Sequence, residues 1–221
     1  MGDWMKKNTS SKNSATKSTK SPAKSKLTDD VNLILQKNRI TRKDDTTIEK
    51  LVQAKNTTRF DGLAYTELYE QNDCFVKLKK YEQVNDKVKK FEIDFVEGRL
   101  LNDIYNDPNN PVSYEMKSLH YYQVLNMYMA MQTYSKKRAK EEIAKIKPGP
   151  DGTHPIAKAR AEWTNKVFFH KDITPTNIIC TPNEELILID IDSFVWDTKV
   201  SFAMSIMSRY STWLDCFINY D

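Results

Sequence analysis

One short spacing near the C-terminal end constrains this chain more than any other feature. His170-Lys171-Asp172-Ile173-Thr174-Pro175-Thr176-Asn177 is followed by the apolar run Leu186-Ile187-Leu188-Ile189, which ends in Asp190-Ile191-Asp192. Asp172 stands two residues after a His and five before Asn177, and Asp190 lies 13 residues beyond that Asn. The apolar run predicts a buried strand that anchors Asp190 at its end, and Pro175 stiffens the loop between Asp172 and Asn177. An amide oxygen and a carboxylate are hard donors of the kind magnesium prefers, and a second carboxylate suits removal of a hydroxyl proton. These residue types suit metal-assisted chemistry on a hydroxyl, with Asp172 as candidate base and Asn177 and Asp190 as candidate metal ligands. His170 is expected to hold the loop by bonding backbone, while Asp192 reads either as a second metal-binding acid or as an exposed turn residue.

With 221 residues, the chain has room for one good core or a two-lobed domain. Its 39% apolar content supports a folded core, and 29% charged residues with a mean hydropathy of −0.66 predict a well-solvated surface. No stretch approaches the roughly 18 apolar residues of a spanning helix, and no apolar block follows the N-terminal lysines, so neither membrane insertion nor a secretory signal is expected. The three cysteines, Cys74, Cys180 and Cys216, are far apart and not in CxxC spacing, which predicts a reducing, cytoplasmic setting rather than a disulfide framework.

Residues 1–28 carry seven lysines and one acid, Asp3, among Ser, Thr, Asn and Ala. Such a segment cannot bury enough apolar surface to offset chain ordering, so a disordered basic tail is expected. It serves either as a solubilising arm or as a weak contact to nucleic acid, an anionic surface or an acidic partner. The net charge of +4 is too small to demand a nucleic-acid role for the whole chain.

Folding is expected to begin near residue 29, where Val31, Leu33, Ile34 and Leu35 mark a short helix or strand. Ile40 to Lys55 predicts two strands around the turn Arg42-Lys43-Asp44-Asp45, Asp61 to Asn72 a helix, and Cys74 to Tyr81 and Val88 to Val96 two further strands joined near Asn85-Asp86. Glu97-Gly98 breaks the last strand, and a short helical turn with the loop Asn102 to Pro111 fits a crossover between lobes. Ser113 caps a long helix running to about Lys147, with Leu119, Tyr122, Leu125, Tyr128 and Met131 as its apolar stripe, before Pro148-Gly149-Pro150 stops it. Ala157 to Lys166 predicts a short helix or an extended approach to a Val167-Phe168-Phe169 strand, and Val200 to Tyr220 one or two amphipathic helices. The organisation is therefore a tail over 1–28, an N-terminal lobe over 29–98 and a C-terminal lobe over 99–221.

At His170, Asp172, Asn177 and Asp190 the chain resembles the protein-kinase-like superfamily, whose catalytic loop reads H-x-D-x-x-x-x-N and is followed by a metal-binding Asp. The resemblance implies an α+β, two-lobed protein-kinase-like fold, reduced in size, with a small N-terminal β-sheet lobe and a mainly helical C-terminal lobe. It implies ATP and Mg2+ as cofactors. Protein kinases begin the metal-binding segment D-F-G, close the activation segment with A-P-E and carry Lys two residues after the base. Here the segment begins Asp190-Ile191-Asp192, only 31 residues follow Asp190 (221 − 190) and Thr174 replaces the Lys. Ile189 to Asp192 is more similar to the aminoglycoside phosphotransferase and choline kinase branch, which implies a small-molecule hydroxyl as acceptor. A protein Ser/Thr kinase and a non-catalytic nucleotide-binding module are the alternatives.

The resemblance further implies that Lys55, after Val52-Gln53-Ala54, contacts the nucleotide phosphates, with Glu67 or Glu70 as its ion-pair partner. Phe91 to Gly98 is similar to the strand that borders adenine, with Phe95 and Val96 in the pocket. No glycine occurs between Gly2 and Gly62, so a glycine-rich phosphate loop is absent in its usual form, and Asn38, Thr41 or Thr46-Thr47 are the candidates to replace it.

Overall fold

The computed structural model describes residues 39–57, 60–147 and 155–218. The basic segment 1–28, Val31 to Leu35, Asn38, Pro148-Gly149-Pro150 and His154 lie outside the described residues.

Alternation builds the N-terminal sheet. β1 (Arg39–Asp44) and β2 (Thr47–Gln53) form a hairpin, and β3 (Leu78–Asn85) and β4 (Val88–Asp94) form another. The four strands are antiparallel in the order β1-β2-β4-β3. Asp44 closes the first turn, its Oδ1 accepting from the Thr46 amide (2.8 Å) and hydroxyl (3.0 Å). Between the hairpins lies α1 (Gly62–Tyr69), capped by Asp61, whose Oδ1 accepts from the Ala64 amide. Asp61 Oδ2 also accepts from Trp196 Nε1 at 3.1 Å, so the cap fastens α1 to the other half of the molecule.

The expected Cys74 to Tyr81 strand divides between two partners. Leu78 onward joins β4, whereas Val76 N donates to Leu188 O and Leu188 N to Cys74 O, with Phe75 bridged in parallel to Leu188. Buried Phe75 needs a wall on its far side, and the C-terminal residues supply it.

The chain then crosses at Gly98, whose φ is +150°. A Cβ there would lie 2.3 Å from the Cys180 carbonyl oxygen, because β5 (Arg99–Leu100) pairs with β7 (Ile178–Cys180). β8 (Leu186–Leu188) completes a three-stranded antiparallel sheet, and β6 (Lys166–His170) pairs with β9 (Phe194–Thr198). Helices make up the rest: α2 (Leu101–Tyr105), α3 (Tyr114–Ala144), α4 (Pro155–Thr164) and α5 (Lys199–Ile218).

Ser113 caps α3 as its sequence predicts, accepting from the Met116 amide at 3.2 Å. Tyr128 and Met131 of the expected stripe are buried, but Leu119 and Tyr122 face solvent, and Val124, Met127 and Tyr134 complete the buried face. Apolar residues surround this helix, so periodicity permits more than one register, and docking against β6 selects the face that covers Phe168 and Phe169. One core runs through the molecule. Phe194 joins it on both sides, meeting Tyr65 of α1 at 5.0 Å and Phe168 at 5.3 Å between ring centroids.

Two stability predictions follow from this packing. Gly98→Ala is expected to cost about 1–3 kcal/mol through backbone strain, with further loss from the contact with Cys180, read as a lowered denaturation midpoint. His120 is buried, with Tyr105 Oη 3.1 Å from its Nδ1, and burial lowers its pKa. The unfolded chain therefore takes up this proton first, so stability present above pH ~6.5 is lost as pH falls below it. His120→Gln is expected to flatten the fall in melting temperature between neutral and mildly acid pH.

Candidate active site

β2 alternates, and Ile48, Lys50 and Val52 share its inner face. Lys50 is therefore a cation at an apolar position, only 5% exposed, where burial without a partner is costly. Its partners come from the opposite lobe: Lys50 Nζ forms ion pairs with both Asp190 Oδ1 and Asp192 Oδ1. Burial works against the Lys50 charge, but the Asp192 and Asp190 carboxylates outweigh it and raise its pKa. One ammonium cannot neutralise two carboxylates. Burial and the neighbouring Asp190 consequently push Asp192 upward, while Lys50 holds Asp190 down in spite of its burial.

The loop before these acids is fixed by His170. The imidazole is fully buried; its Nε2 faces the Asp190 carbonyl at 2.5 Å and its Nδ1 accepts from the Asp172 amide at 3.0 Å. One donor and one acceptor are what a neutral ring offers, and burial lowers its pKa to about 4. Asn177 Nδ2 donates to the Asp172 carbonyl (2.8 Å) and to Asp172 Oδ2 (3.1 Å), leaving the amide oxygen as its free donor atom. Asn177 O accepts from Ile189 N at 3.0 Å, which draws the loop alongside the residue preceding Asp190. Asp190 Oδ2 in turn accepts from Ser193 Oγ at 2.7 Å.

A cleft of about 370 Å³ opens over this cluster. Ile40, Ile48 and Lys50 form one wall, Phe95 and Val96 the crossover edge, and Asn177, Ile179, Ile189 and Asp190 the floor. Its volume falls in the range of small-ligand sites. A second groove, about 430 Å³ between α3 and α5, is lined chiefly by tyrosines and Trp213 and contains no carboxylate.

The structure brings together Asp172, Asn177, Asp190, Phe95 and Val96, but neither Lys55 nor Glu67. Lys55 is exposed beyond the end of β2, in the 3-10 turn Ala54–Thr57, and Lys50 stands in the position expected of it. Glu67 accepts from Tyr134 Oη at 2.8 Å and Arg138 Nη1 at 3.2 Å, so it ties α1 to α3 and forms no pair with a strand lysine. Glu70 is an exposed residue at the end of α1. Asp192 is no exposed turn acid, since its side chain is 11% exposed and held by Lys50. The turn residue Thr46 has its amide committed to Asp44 and its carbonyl to Phe95, and Lys79 donates to the Thr46 and Thr47 hydroxyls.

The donor set fits a divalent cation. Among the described residues no group of three or more His, Cys, Asp and Glu could hold a metal, so the fit rests on two carboxylates together with the Asn177 amide oxygen. After Lys50, the two acids retain one surplus negative charge in a partly buried site. Replacing Lys50 by Met would remove the only cation paired with these acids among the described residues, which is expected to cost about 3–5 kcal/mol. Lys55→Met, measured in the same denaturation series, is expected to leave stability within about 0.5 kcal/mol of the parent.

No family model and no curated protein matches the sequence. Among solved structures, the chain is similar to the aminoglycoside phosphotransferase APH(3'')-Id from Streptomyces rimosus ATCC10970 in complex with ADP and streptomycin. The two share 15% identity over 77% of this chain and 74% of that one, with a TM-score of 0.43. The bifunctional kinase-methyltransferase WbdD gives 13% identity over 80% of this chain and 34% of its own, with a TM-score of 0.46. The kinase PK-1 of Cydia pomonella Granulovirus gives 14%, 78%, 57% and 0.39 in the same order. This chain thus spans about a third of WbdD and just over half of the viral kinase. By its own topology, a four-stranded antiparallel lobe set over a helical lobe with Lys50 and Asp190 facing across the cleft, the chain is a two-lobed protein of the α+β class, the architecture that the resemblance to the protein-kinase-like superfamily implies.

Proposed function

We propose that this chain is an ATP- and Mg2+-dependent phosphotransferase acting on the hydroxyl of a small molecule. The observation that carries this reading is Lys50 held between Asp190 and Asp192, in the cleft that also contains Asn177. A buried cation beside surplus acidic charge suits a triphosphate and its counter-ion, since positive groups stabilise the phosphoryl oxygens during transfer. Asn177 and Asp190 would hold the magnesium, with Asp192 beside them, and when bound it supplies charge neutralisation to the nucleotide phosphates. Lys50 takes the phosphate-binding role. Phe95 and Val96 border the adenine, and Val96 forms no hydrogen bond with another described residue, so its backbone is available to a base.

Asp172 is the general base. Its Oδ2 is oriented by Asn177, and His170 fixes its backbone, so the carboxylate is placed before an acceptor arrives. The lobe boundary falls at Gly98, with the nucleotide between the N-terminal lobe 29–98 and the C-terminal lobe 99–221. The basic segment 1–28 is assigned a weak contact to nucleic acid or another anionic surface, outside the catalytic cycle. Among the described residues no helix is long and apolar enough to cross a membrane, and the proposed location is the cytoplasm.

The test is nucleotide binding and turnover by the full chain. ATP with magnesium is expected to raise the melting temperature, Lys50→Met and Asp190→Asn to abolish that rise, and Asp172→Asn to keep it. With acceptor present, Asp172→Asn is expected to slow phosphoryl transfer by about 10²–10⁴-fold. Nucleotide binding with no transfer above the Asp190→Asn background, across small-molecule and protein acceptors, would replace this reading by that of a nucleotide-binding module. Phosphate appearing on added protein alone would make it a protein kinase.

A further inference from the structure

One stripe of α5 reads the loop that carries Asp172. Ser205 Oγ donates to the Lys171 carbonyl at 2.9 Å, Arg209 Nη2 pairs with Asp172 Oδ1 at 2.8 Å, and Trp213 Nε1 donates to the Ile173 carbonyl at 3.1 Å. Residues four apart lie one above another on a helix, so 205, 209 and 213 address 171, 172 and 173 in step. Arg209 is therefore a cation held in register beside the proposed base.

Its donors are not exhausted there. A guanidinium carries five N–H groups in a planar fork, and Arg209 Nε is enclosed without a hydrogen-bond partner among the described residues. Tyr128 Oη, on α3, is likewise enclosed and unpartnered, and the Tyr128 hydroxyl feels the charges of both Arg209 and Asp172. The guanidinium and the carboxylate each keep more than a third of their side-chain surface open, at 37% and 39%. Lys171, the residue before Asp172, is exposed and forms no ion pair among the described residues. One oxygen of the Asp172 carboxylate is thus held by a guanidinium that is itself partly open to solvent, beside the place where an acceptor hydroxyl must dock.

We propose that the acceptor carries an anionic group, a phosphate monoester or a carboxylate, close to its reacting hydroxyl, and that Arg209 and Lys171 bind that group. The proposal rests on the phosphotransferase reading above. In the step, the acceptor oxygen bonds to the γ-phosphorus of ATP while the bond from that phosphorus to the β,γ-bridging oxygen breaks. The electron pair leaves with ADP, and the acceptor proton passes to Asp172. A planar fork can serve Asp172 with one N–H and an incoming oxyanion with others, which a neutral side chain at 209 cannot do. A cationic acceptor would be repelled by both Arg209 and Lys171.

Two measurements on the full chain test this. The first compares ADP formation on sugars and polyols in sets that differ only in one group: neutral, phosphorylated, carboxylated or aminated. The phosphorylated or carboxylated members are expected to exceed the neutral ones by roughly tenfold or more in kcat/KM, the two arms showing which anion is taken. Arg209→Gln should erase that preference through KM, and Arg209→Lys should retain part of it. Best turnover on neutral or aminated members, or an anion preference unchanged in Arg209→Gln, would overturn the proposal.

The second measurement needs no turnover. The Arg209 Nε–H resonance, assigned by its disappearance in a folded Arg209→Gln or Arg209→Lys protein, is expected to shift on titration with inorganic phosphate or acetate. No shift at millimolar anion refutes the anion site even where ATP binds normally. A shift without ATP binding would instead defeat the phosphotransferase reading and leave the anion site standing.

Discussion

Everything at the centre of this molecule depends on one lysine being in the wrong kind of place. Lys50 sits in phase with Ile48 and Val52 on the inner face of its strand, where only a strong electrostatic partner makes a charge tolerable. That partner is a pair of acids from the far lobe, so the penalty for burying the cation doubles as the force that registers the two lobes. The aromatic packing of Phe194 against Tyr65 and Phe168 is non-directional and would accept small slips. The ion pairs are what make the cleft a defined shape.

The loop below is defined in another way. His170 is buried and neutral, and it commits both ring nitrogens to the backbone of the two aspartates Asp172 and Asp190. Asn177 divides its amide between the carbonyl and carboxylate of Asp172. The sequence His-x-Asp-x-x-x-x-Asn is therefore a closed hydrogen-bond circuit, and each spacing in it is the reach of one side chain to one backbone group.

That explains what a reader of the sequence can and cannot see. The loop residues Asp172, Asn177 and Asp190 were legible because their relations are local, set by a turn and one strand. The hairpins, the Asp61–Asn72 helix and the Ser113 cap were legible for the same reason. Lys50 and Glu67 depend on which distant element each meets, and Val52-Gln53-Ala54-Lys55 has the look of a phosphate-contacting strand although Lys55 lies beyond its end and Lys50 meets the acids. A signal for Lys50 did exist: a lysine on the apolar phase of an alternating strand demands a carboxylate from elsewhere. The α3 stripe was legible only at Tyr128 and Met131, since a helix apolar on several sides has no preferred face until its neighbour is known. Arg209 had no signal at all, being one basic residue of an amphipathic helix with no motif around it.

The double use of residues 74–76 has a mechanical consequence. Besides the covalent crossing at Gly98, the lobes are joined by a backbone ladder in which Cys74 and Val76 exchange hydrogen bonds with Leu188. The lobes are therefore sewn together by main chain at these two places and by side chains elsewhere, so no single side-chain truncation severs the backbone seams as Lys50→Met would sever the ion pairs.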